Sequence, residues 1–143
     1  MFAVKLSTDH EVSIVEKKPG QSILDFCYET IGCELVEQVS ARGLKEPYVL
    51  MVDEEGQLKD EPTVNFIASY LYGTHEHREP IVGNALVLKM AMTDEGPDIV
   101  PLDEPEARQV KESMDRIAHI AYRKVLLAFR QELVGPFEEE TER

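Results

Sequence analysis

Apolar and polar positions alternate at the start of the chain. FAVKLS and EVSIVEKK each show that alternation, and Thr8, Asp9 and His10 between them predict a β-hairpin. After Gly20 and Gln21 the period lengthens: Ile23, Leu24, Cys27 and Ile31 recur at helical spacing in ILDFCYETIG, with Ser22 as the cap and Gly32 as the stop. From Cys33 the period returns to two, first around Leu35 and Val36 in CELVEQVSAR, then at Tyr48, Leu50 and Val52 in PYVLMVDEEGQLK. Ala41 to Pro47 and Asp53 to Gly56 supply the turns.

A second helix is expected after Asp60, Glu61 and Pro62, with Val64, Ile67, Ala68 and Leu71 on one face and Gly73 at its end. Ile81, Val82 and Ala85 to Leu88 predict a last strand, interrupted at Gly83 by a bulge or a close backbone approach. MTDEGPDIVPLDEPEA reads as an acidic, turn-rich connector, and Asp103 as the cap of a final helix that Gly135 and Pro136 would terminate. The expected fold is α+β: a small, mostly antiparallel sheet with two short helices and a long C-terminal helix. Residues 1–92 form its core, 93–103 the connector, 104–134 a helix packing on the core and/or a partner chain, and 135–143 an acidic tail.

That final helix changes character along its length. Its first half carries one narrow apolar line, Val110, Met114, Ile117 and Ala121, whereas its second half is apolar nearly all round the cylinder. More than one face then leaves water, and a homodimer is expected, with Ile120, Leu126, Leu127, Phe129 and Leu133 as interface candidates. The alternative is a break near His119 that folds the helix back over its own sheet.

Composition narrows the class. A chain of 143 residues, 43% hydrophobic and 30% charged, fits one soluble globular domain. No apolar run approaches the roughly 20 residues of a membrane span, and MFAVKLSTDHEV lacks a basic leader, so the expectation is a cytoplasmic protein without a membrane partner. Twenty-eight acids against 15 Lys and Arg give a net charge of −13, which disfavours direct nucleic-acid binding. It leaves a solvated surface, or an acidic one fitted to a basic protein partner. Arg116, Arg123, Lys124 and Arg130, alternating with Glu112, Asp115 and Glu132, read as a solvated face. Cys27 and Cys33 match neither a CxxC pair nor a zinc knuckle and read as buried small apolar groups.

Candidate chemistry is sparse. In YGTHEHREPIVG, His75 and His77 on extended backbone would point the same way and could hold a divalent metal with a carboxylate, although no further ligands follow at recognisable spacing and a hydrated polar loop is the plainer reading. Asn65 is an amide in the otherwise apolar VNFIASYLYG: it either bonds the backbone of the preceding turn or lines a pocket with Tyr70, Tyr72, His75 and His77. No GxGxxG, Walker loop, GxSxG or HExxH occurs. No catalytic residue, resident metal or cofactor is expected.

GCELVEQV, VLMVDEEGQLKDEPTVNFIASYLYG, PIVGNALVL and an Asp-Ile-Val-Pro-Leu lead into a capped helix together resemble a bacterial and phage family, the domain of unknown function 3846. The resemblance covers roughly residues 1–110, with Gly32, Glu34, Asp53, Gly56, Asn65, Ala68, Ile81, Val82 and Gly83 in the matching positions. It implies a small α+β domain, often carried on mobile elements, and brings no activity or catalytic residue with it. The long apolar C-terminal helix departs from the shorter members. Three functions follow in order: a non-enzymatic, homodimeric interaction module; an acidic accessory or inhibitor protein covering a basic, nucleic-acid-binding surface of a partner; and a metal-dependent hydrolase using His75 and His77.

Overall fold

The computed structural model describes the backbone of residues 1–77 and 79–142, and the side chains of 1–76 and 79–129. Among the described residues six strands form one sheet: β1 (Phe2–Leu6), β2 (Val12–Glu16), β3 (Val36–Val39), β4 (Tyr48–Asp53), β5 (Ala85–Thr93) and β6 (Gly96–Val100). Every pairing is antiparallel, in the order β2-β1-β5-β4-β3, with β6 on the distal half of β5. The α-helices are α1 (Ile23–Ile31), α2 (Phe66–Tyr72), a four-residue α3 (Thr74–His77) and α4 (Glu104–Glu142), and a short 3-10 turn spans Gly56–Leu58. This is the α+β architecture expected, with one strand, β6, more than the sequence suggested.

The sheet is covered on both faces, so its central strands do not alternate between buried and exposed. Ala85, Leu86, Val87 and Leu88 are all fully buried. Period two sends Val87, with Val4, Leu6, Leu50 and Val52, to the side of α2 and α4, and sends Leu86 and Leu88, with Ala3 and Met51, to the side of α1. Phe26 and Cys27 of α1 close that second core with Cys33 just beyond its end. Burial, helped by the neighbouring Cys33, raises the Cys27 thiol to about 11, and burial followed by Asp53 raises Cys33. Both stay protonated at neutral pH.

The helix termini follow local rules. The Ser22 hydroxyl accepts from the Asp25 N–H at 3.1 Å and Gly32 closes α1 in the left-handed region at φ 81°. At the start of α4 the Asp103 carboxylate accepts from the Glu106 N–H while Glu106 Oε1 accepts from the Asp103 N–H, both at 2.9 Å. Before α4, two boundaries differ from expectation. Helix α2 starts at Phe66, not after Pro62, because Val64 is taken into an antiparallel bridge with Val82 and Asn65 becomes the cap. The acidic connector is also largely a hairpin. Thr93 and Gly96 pair across Asp94 and Glu95, the Thr93 hydroxyl donates to the Gly96 carbonyl at 2.7 Å, and Gly96 adopts φ 106°. Solvated turn acids hid a strand whose pairing is made by backbone.

Helix α4 is one unbroken element of 39 residues, so the fold-back at His119 does not occur. At 1.5 Å per residue it extends about 58 Å. The helix also continues through Gly135 and Pro136, where a stop was expected; an interior proline costs about 3 kcal/mol without forbidding a helix. Its first half packs on the sheet through Ala107, Val110 and Met114, and its second half is sheltered on one side by α2 and α3.

Candidate functional site

Seven of the nine residues on which the family resemblance rests, Asp53, Gly56, Asn65, Ala68, Ile81, Val82 and Gly83, meet at one junction between β1, β4, α2 and the segment leading into β5. Asn65 is fully buried there. Its Oδ1 accepts from the Ala68 N–H at 3.0 Å, and its Nδ2 donates to the Leu6 carbonyl at 2.8 Å and to the Gly83 carbonyl at 2.9 Å. Its backbone N–H donates to the Ile81 carbonyl, and Ser69 Oγ both donates to that oxygen and accepts from the Ile81 N–H. Next to this knot, Gly56 lies so close to the 81–83 segment that a Cβ would stand 2.7 Å from the Val82 carbonyl oxygen. Asp53, with a side chain 7% exposed, accepts from the Glu55 N–H at 2.9 Å and has Lys59 at 3.7 Å. Asn65 therefore acts on backbone, at its own first turn and at the distant Leu6 and Gly83 carbonyls and not at the preceding turn, and both polar atoms of its side chain are bonded.

A cleft of about 380 Å³ opens beside this junction, at the sheet edge formed by β3. Glu37, Asp53, Glu54 and Glu79 bring carboxylates to it, with Gln57 and Tyr72. Tyr72 thus lines a cavity, whereas Tyr70 stacks on the His75 ring with centroids 4.8 Å apart. The His75 Nδ1 is enclosed without a hydrogen-bond partner among the described residues, and its Nε2 is 3.8 Å from Glu76. Helix α3 removes the extended backbone on which the His75 and His77 argument depended, since positions two apart on a helix face different directions. The His77 side chain lies outside the described residues. Among those described, no group of three or more His, Cys, Asp or Glu is arranged to hold a metal ion.

The second surface is α4. Ala121, Val125 and Ala128 are buried, and the expected interface residues separate to either side of them. On one flank Tyr122 meets Phe66 at 4.9 Å and His10 at 5.3 Å, and Phe129 meets Phe66 at 6.4 Å, with Leu126, 37% exposed, between them. On the other flank Ile120 and Leu127, 46% and 49% exposed, stand one heptad apart. The side chain of Leu133 lies outside the described residues. Sequence periodicity found both apolar flanks but could not separate them, because Phe66 and His10 come from distant segments.

Among the described residues, no helix is long and apolar enough to cross a membrane. No curated protein and no solved structure matches the chain. The model of one family, described as a domain of unknown function (DUF3846), matches residues 1–115, the span that holds the sheet, the Asn65 junction and the acidic cleft, and the chain belongs to that family.

Proposed function

We propose that this protein is an interaction module that pairs with a second copy of itself through α4. The observation that carries this reading is the line Tyr122, Leu126 and Phe129. Spaced four and three residues apart, as in a helix–helix seam, it is supported from beneath by Phe66, yet its outer side is open at Leu126. Leu133, four residues after Phe129, continues the spacing. A self-complementary apolar seam is most simply buried by a two-fold partner. Sedimentation across a dilution series tests this: the unaltered chain is expected as a dimer at micromolar concentration, and Leu126→Glu is expected to self-associate at least about tenfold more weakly. A monomer mass throughout, at concentrations up to the high micromolar, sinks the reading.

A second reading rests on the cleft, whose carboxylates at Glu37, Asp53, Glu54 and Glu79 favour a cationic occupant such as the basic surface of a partner protein. Titration with an arginine-rich peptide tests it. Saturable, salt-sensitive binding that disappears when Glu37, Glu54 and Glu79 are changed to Gln supports it, and binding indifferent to those changes ends it.

A further inference from the structure

Charge is distributed unevenly along α4. In its first half the cations are matched within the helix: Arg108 with Glu104, Lys111 with Asp115 and Arg116 with Glu112. Beyond Asp115 no acid occurs until Glu132, while Arg123, Lys124 and Arg130 add positive charge, in a chain whose net charge is −13. Arg123 and Lys124 are exposed and have no ion-pair partner among the described residues. Between and beside them lie Ile120 and Leu127, the two exposed aliphatic side chains of this flank.

We infer that this flank of α4 is a docking surface for an acidic, amphipathic helical segment of another protein. Two aliphatic residues one heptad apart match a narrow apolar line on a partner helix, and the unpaired cations beside them match carboxylates flanking that line. A second copy fits this flank poorly. Antiparallel pairing of Ile120 with Leu127 would set Arg123 of one chain against Lys124 of the other, and parallel pairing would set like against like. A lipid surface fits poorly as well, because interfacial helices bury a broad apolar face with aromatic residues and this flank offers two side chains. The inference is independent of the self-pairing seam, which occupies the other side of the buried stripe.

The test uses the full chain and a fluorescein-labelled synthetic helix with leucines at heptad spacing and glutamates on either side. Fluorescence anisotropy is expected to show saturable binding that weakens about tenfold between about 50 and 300 mM salt, because the contributing charges are exposed and screened. Arg123→Glu with Lys124→Glu should abolish it, as should Ile120→Ser with Leu127→Ser, whereas the uncharged Leu126→Ser, which gives Arg123 no carboxylate three residues away, should leave it unchanged. Absence of saturable binding overturns the inference, as does binding that survives the charge reversal. So does retention of the chain on phosphatidylserine vesicles or duplex DNA, through the same residues, without peptide binding. Loss of self-pairing in Leu126→Ser with intact peptide binding separates failure of the dimer from failure of this surface.

Discussion

The imidazole Nε2 of His10 lies 3.0 Å from the main-chain oxygen of Ala118, tying the tip of the first hairpin to the middle of α4 across 108 positions of sequence. The His10 ring also stands edge-on to Tyr122 at 5.3 Å and to Phe66 at 6.2 Å. Its backbone sits at φ 74°, a region that non-glycine residues enter at a cost of about 1–2 kcal/mol. His10→Ala keeps the unfavourable backbone and loses the ring, so it should lower unfolding free energy by about 1–2 kcal/mol in urea titration. His10→Gly should recover part of that loss. An unchanged midpoint in His10→Ala would mean that the hairpin tip does not hold α4.

The Asn65 junction predicts a steeper response. Replacing Asn65 by Ala leaves the Leu6 and Gly83 carbonyls and the Ala68 N–H without their partner in a fully buried place. The expected loss is about 3 kcal/mol or more. Asn65→Asp should be at least as damaging, because an oxygen would then face two carbonyl oxygens. Denaturant midpoints of the two variants check the order, and tolerance of Asp would contradict the donor role of Nδ2.

Gly56 and Gly20 form a matched pair for steric strain. A methyl group at Gly56 would meet the Val82 carbonyl oxygen at 2.7 Å, a backbone atom with little room to retreat, and Gly56→Ala should cost about 1–3 kcal/mol. At Gly20, with φ 79° and nothing within 4 Å, the cost should come from backbone conformation alone, about 1 kcal/mol. Thermal unfolding of the two alanine variants tests the ranking. Equal shifts would argue against close contact at Val82.

Acid sensitivity should centre on Glu106. Burial pushes its carboxyl up, but the Lys89 ammonium at 2.7–2.8 Å and the Asp103 cap outweigh burial and hold it below the ordinary value of 4.5. A carboxyl lowered on folding contributes stability that is present above the unfolded value and is lost as pH falls through the folded one. Stability should therefore decline below about pH 4.5, and Glu106→Gln, which keeps an acceptor for the Asp103 N–H but loses the ion pair, should show a shallower decline over that range. At neutral pH the same variant should lose about 1 kcal/mol, a modest value for a pair whose side chains are each 23% exposed. Parallel pH profiles for the two proteins would remove Glu106 from the explanation.

The α+β class, the first hairpin, the Ser22 and Asp103 caps, the Gly32 stop and the apolar excess of α4 were legible in the residues because each depends on neighbours within about one helical turn or one strand pair. The hairpin of β5 and β6 was not, since its backbone pairing lies beneath a run of solvated acids. The role of Asn65 was half legible: the amide stood out, but its carbonyl partners at Leu6 and Gly83 lie 59 and 18 residues away. The same separation governs α4. Its sequence determined that apolar surface would encircle the second half of the helix, while only the tertiary structure decided which part Phe66 and His10 cover and which part faces water. Helical periodicity is a local property of the chain, whereas shelter from solvent depends on segments brought together by folding.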